Sequence, residues 1–237
     1  MLGDTNLVVC MAGALMATLC SVLSFNRLPT AWIFDYGQEK ISLSGNLSLF
    51  SRKKRISALL FTLTYFFIIL SICIERSFLI WLILFILSHI GISDLLNEVI
   101  PDQHIVAIGM CGIMLSVFSQ EEYMTENLTK SVVGGLIGFA LYFIPFMIEY
   151  ILRKIEVVGF GDIKLFAALG LVIGGEKVII LFILTNIFSF FVSINMLVCE
   201  YLNNRKISKI SGKCCKFQSY TTLPLAPIIN ILFIFCI

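Results

Sequence analysis

The sequence predicts an all-α, polytopic membrane protein of about eight transmembrane helices, with its N-terminus on the outer side. Three observations predict it. First, 59% of the 237 residues are hydrophobic and only 14% are charged, with a mean hydropathy of +0.98. A soluble domain of this length could not cover so much apolar surface, so the bilayer is the solvent. Second, eight apolar runs recur along the chain, each near the length that a bilayer requires. Third, the basic residues fall almost entirely on one side of those runs.

Residues 7–25 form the first run. Residues 1–6 include Asp4 and no Lys or Arg, and the first basic residue, Arg27, follows the run. A cleavable signal needs a positive segment before its apolar core, so this order predicts a retained helix. The second run, 57–74, follows Arg52-Lys53-Lys54-Arg55, which anchors topology. The third, 78–93, ends at Asp94, and the fourth, 103–119, opens after Pro101-Asp102. The fifth, 130–150, contains Gly134 and Gly138, with Pro145 placed to kink it. The sixth and seventh, 163–176 and 177–199, are separated by Gly174-Gly175-Glu176-Lys177, the signature of a tight turn between antiparallel spans. The small-residue spacing recurs there as Gly170 and Gly174. The eighth run, 221–237, begins with Pro224 and Pro227.

With alternating spans, fourteen of the 17 Lys and Arg residues lie in or beside the segments 26–56, 94–102, 151–162 and 200–220. Only Arg76, Lys130 and Lys177 fall on the opposite side, where residues 120–127 carry Glu121, Glu122 and Glu126. Cytoplasmic loops collect positive charge, which puts the N-terminus outside. The eight cysteines sit mostly within apolar runs. Cys214 and Cys215 are adjacent in a polar loop, and no CxxC pair exists, so neither a structural zinc site nor a disulfide framework is expected. No internal repeat supports an inverted-repeat transporter. Nothing in the charge pattern points to nucleic acid. The lipid bilayer is the one partner that composition implies.

Asp94 closes the third run and Asp162 opens the sixth, in Val158-Gly159-Phe160-Gly161-Asp162-Ile163-Lys164. Alternation puts both on the cytoplasmic side, where they can meet if the two helices pack together. Acids at membrane depth are costly and mark functional sites. Two facing carboxylates suit hydrolysis, one acting as base toward water while the other donates a proton. Gly159 and Gly161 would let an extended substrate backbone approach. Other roles stand beside this one. Asp162 could cap the sixth helix, Asp94 could be an interfacial acid, and the two could line an ion path in a small ion-coupled transporter. Asp102 reads as a helix N-cap, and His89 and His104 read as packed or hydrogen-bonded side chains. Lys164 is a partner for an acid, a substrate contact or a cytoplasmic anchor.

These segments resemble the type IV prepilin peptidases. Gly159-Phe160-Gly161-Asp162-Ile163-Lys164 is similar to that family's GxGDxK signature, and Asp94 stands before Pro101-Asp102 as the first catalytic aspartate of the family does. Arg27-Leu28-Pro29 resembles the stretch closing the family's first helix. Leu223-Pro224-Leu225-Ala226-Pro227 resembles the start of its last helix, where a Gly usually stands in place of Ala226. The resemblance implies an aspartyl endopeptidase of a bacterial inner membrane, with its N-terminus periplasmic and Asp94 and Asp162 as catalytic pair. Its substrates would be prepilins or pseudopilins, cut after a glycine at the cytoplasmic face to release a basic leader, for a type IV pilus, type II secretion or DNA-uptake system. Residues 57–237 would form the peptidase domain, behind a first helix and reduced loop in 1–56. Peptide hydrolysis of this kind takes no cofactor. Many members also methylate the new N-terminus with S-adenosylmethionine and carry paired CxxC motifs in the first cytoplasmic loop. Here residues 26–56 contain no cysteine, which leaves methylation open and removes the zinc ligands.

Overall fold

A computed structural model describes residues 4–29, 51–72, 77–118, 124–154, 159–211 and 224–237. Most of the first loop, the 120–123 part of the acidic loop and the segment holding Cys214 and Cys215 lie outside the described residues. Among the described residues every element is a helix: α1 (Asp4–Phe25), α2 (Arg52–Ile72), α3 (Phe78–Asn97), α4 (Asp102–Phe118), α5 (Met124–Arg153), α6 (Phe160–Ser211) and α7 (Ala226–Cys236). Four helical stretches are long and apolar enough to cross a membrane: Arg52–Ser71, Phe78–Asn97, Asn127–Leu152 and Phe160–Val198. Cys10–Phe25, Asp102–Phe118 and Ala226–Cys236 are apolar but shorter. At 1.5 Å per residue, the 11-residue α7 extends only about 16 Å, half of a hydrocarbon core.

The expected sixth and seventh runs join into one element, α6, interrupted at Gly174, whose φ of 80° and ψ of 174° lie outside the helical region. The chain nevertheless reverses there. Phe166 and Phe182, sixteen positions apart, would be separated by about 24 Å along a straight helix, yet their rings lie 6.3 Å apart. Tyr142 of α5 packs edge-on against both, at 4.5 and 4.9 Å. A single glycine with positive φ therefore makes the turn, because only a residue lacking Cβ takes that conformation without strain.

The small-residue spacing has a definite use. A Cβ on Gly134 would collide with the Gly170 carbonyl oxygen, one on Gly170 with the Gly134 carbonyl, and one on Gly138 with the Phe166 carbonyl. The backbones of α5 and α6 thus touch directly. Such contact drives helix association where lipid removes the hydrophobic incentive. Pro145 sits within α5 without ending it.

Buried aromatic and aliphatic side chains fill the centre, among them Tyr65, Phe166, Phe233, Ile83 and Leu87. Several buried polar groups pair with one another or with backbone carbonyls, which offsets their desolvation. The Tyr65 hydroxyl donates to the Leu84 carbonyl at 3.0 Å. Ser21 and Ser88 hydroxyls pair at 2.8 Å, and Asn230 Nδ2 donates to the Leu87 carbonyl at 2.7 Å. Large apolar side chains also cover the outside, including Phe78, Leu136, Leu152 and Phe190, as a lipid-facing surface requires.

Candidate active site

Asp94 lies in the last turn of α3. The helix ends at Glu98, which adopts a left-handed conformation (φ 61°, ψ 32°) and donates its N–H to the Asp94 carbonyl at 2.9 Å. The Asp94 carboxylate is buried, and its Oδ2 accepts the backbone N–H of Ala226 at 2.9 Å. That donor follows from local sequence. Ala226 opens α7, so its N–H has no partner within the helix. Pro227 follows with no N–H to offer. The positive end of α7 therefore faces a carboxylate.

Asp162 lies in the first turn of α6, its N–H bonded to the Gly159 carbonyl at 3.0 Å. Its carboxylate interacts electrostatically with that of Asp94, so tertiary packing brings the two predicted acids together. The Tyr142 hydroxyl lies near Asp162 and the Asn186 side chain. The second arm of α6 thereby supports the site made by the first.

The two glycines stand where side chains would crowd the site. A Cβ on Gly159 would stand 3.3 Å from Asp162 Oδ2, and one on Gly161 would stand 3.1 Å from the Ile100 side chain. Glycine at 159 leaves room for the Asp162 carboxylate. Glycine at 161 lets the start of α6 pack on the α3–α4 connection. Asp102 corrects its predicted role as a cap: it is the first residue of α4, and its carboxylate is held by Lys164 Nζ at 2.8 and 2.9 Å. Lys164 thus has an acid partner in Asp102. Its ammonium also lies 5.2 Å from the centre of the Phe160 ring. His89 and His104 pack as expected. The rings are buried 5.6 Å apart, and His89 Nε2 pairs with the Ser24 hydroxyl at 2.8 Å.

Sequence reasoning missed Ala226, Tyr142 and Asn186 as neighbours of the acids. The paired prolines at the start of the last helix were the one available signal. Among the described residues, no three His, Cys, Asp or Glu side chains converge as a metal-ligand set.

The model of the type IV leader peptidase family matches residues 81–194, a stretch that includes Asp94, Gly159, Gly161, Asp162 and Lys164. A curated relative, the prepilin leader peptidase/N-methyltransferase of Vibrio cholerae serotype O1, is 28% identical over 130 residues, covering 53% of this chain. The match covers 50% of that relative's length, so the chain spans about half of it. No solved structure matches the chain.

Proposed function

We propose that this chain is a membrane aspartyl endopeptidase that removes the basic leader from prepilins or pseudopilins, cutting after a glycine at the cytoplasmic face of a bacterial inner membrane. The observation that carries this reading is the convergence of Asp94 and Asp162 from two helices separated in sequence. The likeness to the type IV leader peptidase family over the same residues supports it.

In this reading an ionised carboxylate of the pair draws a proton from water, and that water attacks the peptide carbonyl. The partner, protonated, donates to the carbonyl oxygen, and the proton taken from water then passes to the leaving amine as the C–N bond breaks. The Ala226 N–H fixes the orientation of Asp94, so the pair is positioned before substrate arrives. Gly159, Gly161 and Lys164 support the turn that presents Asp162. Hydrolysis by this route takes no cofactor.

Co-expression with a prepilin tests the reading. Asp94→Asn and Asp162→Asn each preserve shape and abolish leader removal, while both proteins still insert at wild-type levels. Continued cleavage by both variants would refute it. Methylation is tested separately by the mass of the processed N-terminus, since transfer of a methyl group from S-adenosylmethionine adds about 14 Da. The lack of cysteine in residues 26–56 leaves methylation open, and this mass decides it.

A further inference from the structure

α7 bonds to α3 at a second point besides Ala226. Its sequence is apolar except for Asn230 and the thiol of Cys236. Asn230 is fully buried, and its Nδ2 donates to the Leu87 carbonyl of α3 at 2.7 Å. The opposite amide orientation would set two oxygens face to face, so chemistry fixes which atom donates. Gly91 opens the way. A Cβ there would collide with the Phe61 ring of α2 and stand 2.9 Å from Asn230 Nδ2.

Stability does not account for this residue. Leu87 lies in the middle of α3, where the helix's own ladder already supplies its carbonyl with a donor. Asn230 Oδ1 meets no donor among the described residues. Leucine has the same branching and brings no polar group to desolvate. Exchanging buried polar side chains for apolar ones of similar shape is often neutral or stabilising. What the carboxamide supplies is direction. Apolar contacts such as those of the buried Ile229, Leu232 and Phe233 are non-directional and let one helix slide along another, whereas a hydrogen bond does not. A single buried asparagine fixes register in coiled coils for this reason.

Register matters at Asp94. Ala226 and Asn230, at i and i+4, lie one above the other on α7, and Leu87 and Asp94, at i and i+7, share a face of α3. α7 is thereby pinned at two points. Its first N–H meets Asp94 Oδ2 at 2.9 Å, and its carboxamide meets Leu87 one turn further on. A slip of α7 by one residue would carry Ala226 about 1.5 Å along the axis, enough to break that bond. In one direction the slip brings up Pro227, which has no N–H to offer. We propose that Asn230 is a positioning residue: it sets the axial register of α7 on α3 and so holds the Ala226 N–H on the Asp94 carboxylate. That the carboxylate so held is catalytic rests on the peptidase reading; the clamp itself does not.

Selective labelling for NMR reads the clamp directly. Leucine is followed by alanine at one place in the sequence, Leu225-Ala226. Full-length protein with heavy-carbon carbonyls on leucine and heavy nitrogen on alanine therefore gives one doubly labelled amide, that of Ala226. Its proton resonates downfield when it bonds a carboxylate, since charge-assisted bonds are the short, strong ones. Asp94→Asn replaces the charged acceptor by a neutral one and sets the scale by moving that signal upfield. Asn230→Leu should move it upfield by at least half as much and melt at or above wild type. It should also lower kcat for leader removal about tenfold or more, with KM unchanged. Asn230→Ala, which cannot overpack, should give the same displaced signal and the same loss of kcat. Leu232→Ala supplies the contrast. It leaves a cavity on the buried face of α7 and should melt below wild type, with the Ala226 signal and kcat at wild-type values. An Ala226 signal that stays in place in both Asn230 variants would overturn the proposal. So would an equal displacement in Leu232→Ala, since apolar packing would then set the register, and so would a displaced signal with wild-type kcat. If the wild-type chain cleaves no prepilin, the peptidase reading falls, and the Ala226 signal alone still decides the clamp.

Discussion

Gly134→Ala offers a direct measure of the backbone contact that holds the site's scaffold. The added Cβ would overlap the Gly170 carbonyl oxygen and stand 2.7 Å from Gly174 Cα and carbonyl carbon. All three are backbone atoms, so no rotamer change relieves the collision, and α5 must move away from α6. Overpacking costs about 1–3 kcal/mol, and a clash with fixed backbone belongs at the upper end. Alanine recovers up to ~1 kcal/mol of helix propensity, leaving a net loss of roughly 2 kcal/mol. Two other glycines calibrate the result. Gly109→Ala meets only Leu171 Cδ1 at 3.5 Å and should be neutral or slightly stabilising. Gly174→Ala enters open space, but its φ of 80° costs a non-glycine residue roughly 1–2 kcal/mol. Thermal melts of the detergent-solubilised proteins should rank Gly134→Ala lowest, Gly174→Ala between, and Gly109→Ala at or above wild type. A Gly134→Ala protein that melts with Gly109→Ala would refute direct α5–α6 backbone contact.

Other expectations concern the site. Tyr142→Phe keeps the ring between Phe166 and Phe182 and removes only the hydroxyl near Asp162 and Asn186. Melting should be nearly unchanged while kcat falls about tenfold, roughly 1.4 kcal/mol of barrier, with KM steady. A fall in KM-dependent binding alone would rule out a positioning role for the hydroxyl. The Asp102–Lys164 pair is partly exposed, so a double-mutant cycle of Asp102→Ala and Lys164→Ala should give a coupling below about 1 kcal/mol. That coupling should shrink further in high salt; a salt-independent value of several kcal/mol would mark a buried interaction instead.

Local information carried much of this protein. The apolar runs fixed where helices form, because a bilayer admits only segments that satisfy their own backbone hydrogen bonds. The spacing of Gly134 with Gly138 and of Gly170 with Gly174 marked two faces able to pack closely. Asp94 and Asp162 were legible as acids at helix ends near the membrane edge, and the GGEK turn was legible as a break. The reversal at Gly174 is sharper than a loop, since one positive φ suffices to turn the chain.

What the sequence by itself determined was therefore each element and its chemical inventory. Tertiary structure decided which faces meet. Ala226 offers a free N–H in any helix start followed by proline, but only the packing of α7 against α3 aims it at Asp94. Tyr142 reaches Asp162 and Asn186 only because α6 folds back on itself against α5. Only the tertiary structure shows that side chains at Gly159 and Gly161 would crowd Asp162 and Ile100. Helix formation depends on neighbours a few residues away, which sequence records. Contacts between helices depend on rotation and tilt, and in a chain apolar on nearly every face no periodic pattern states in advance which side turns inward.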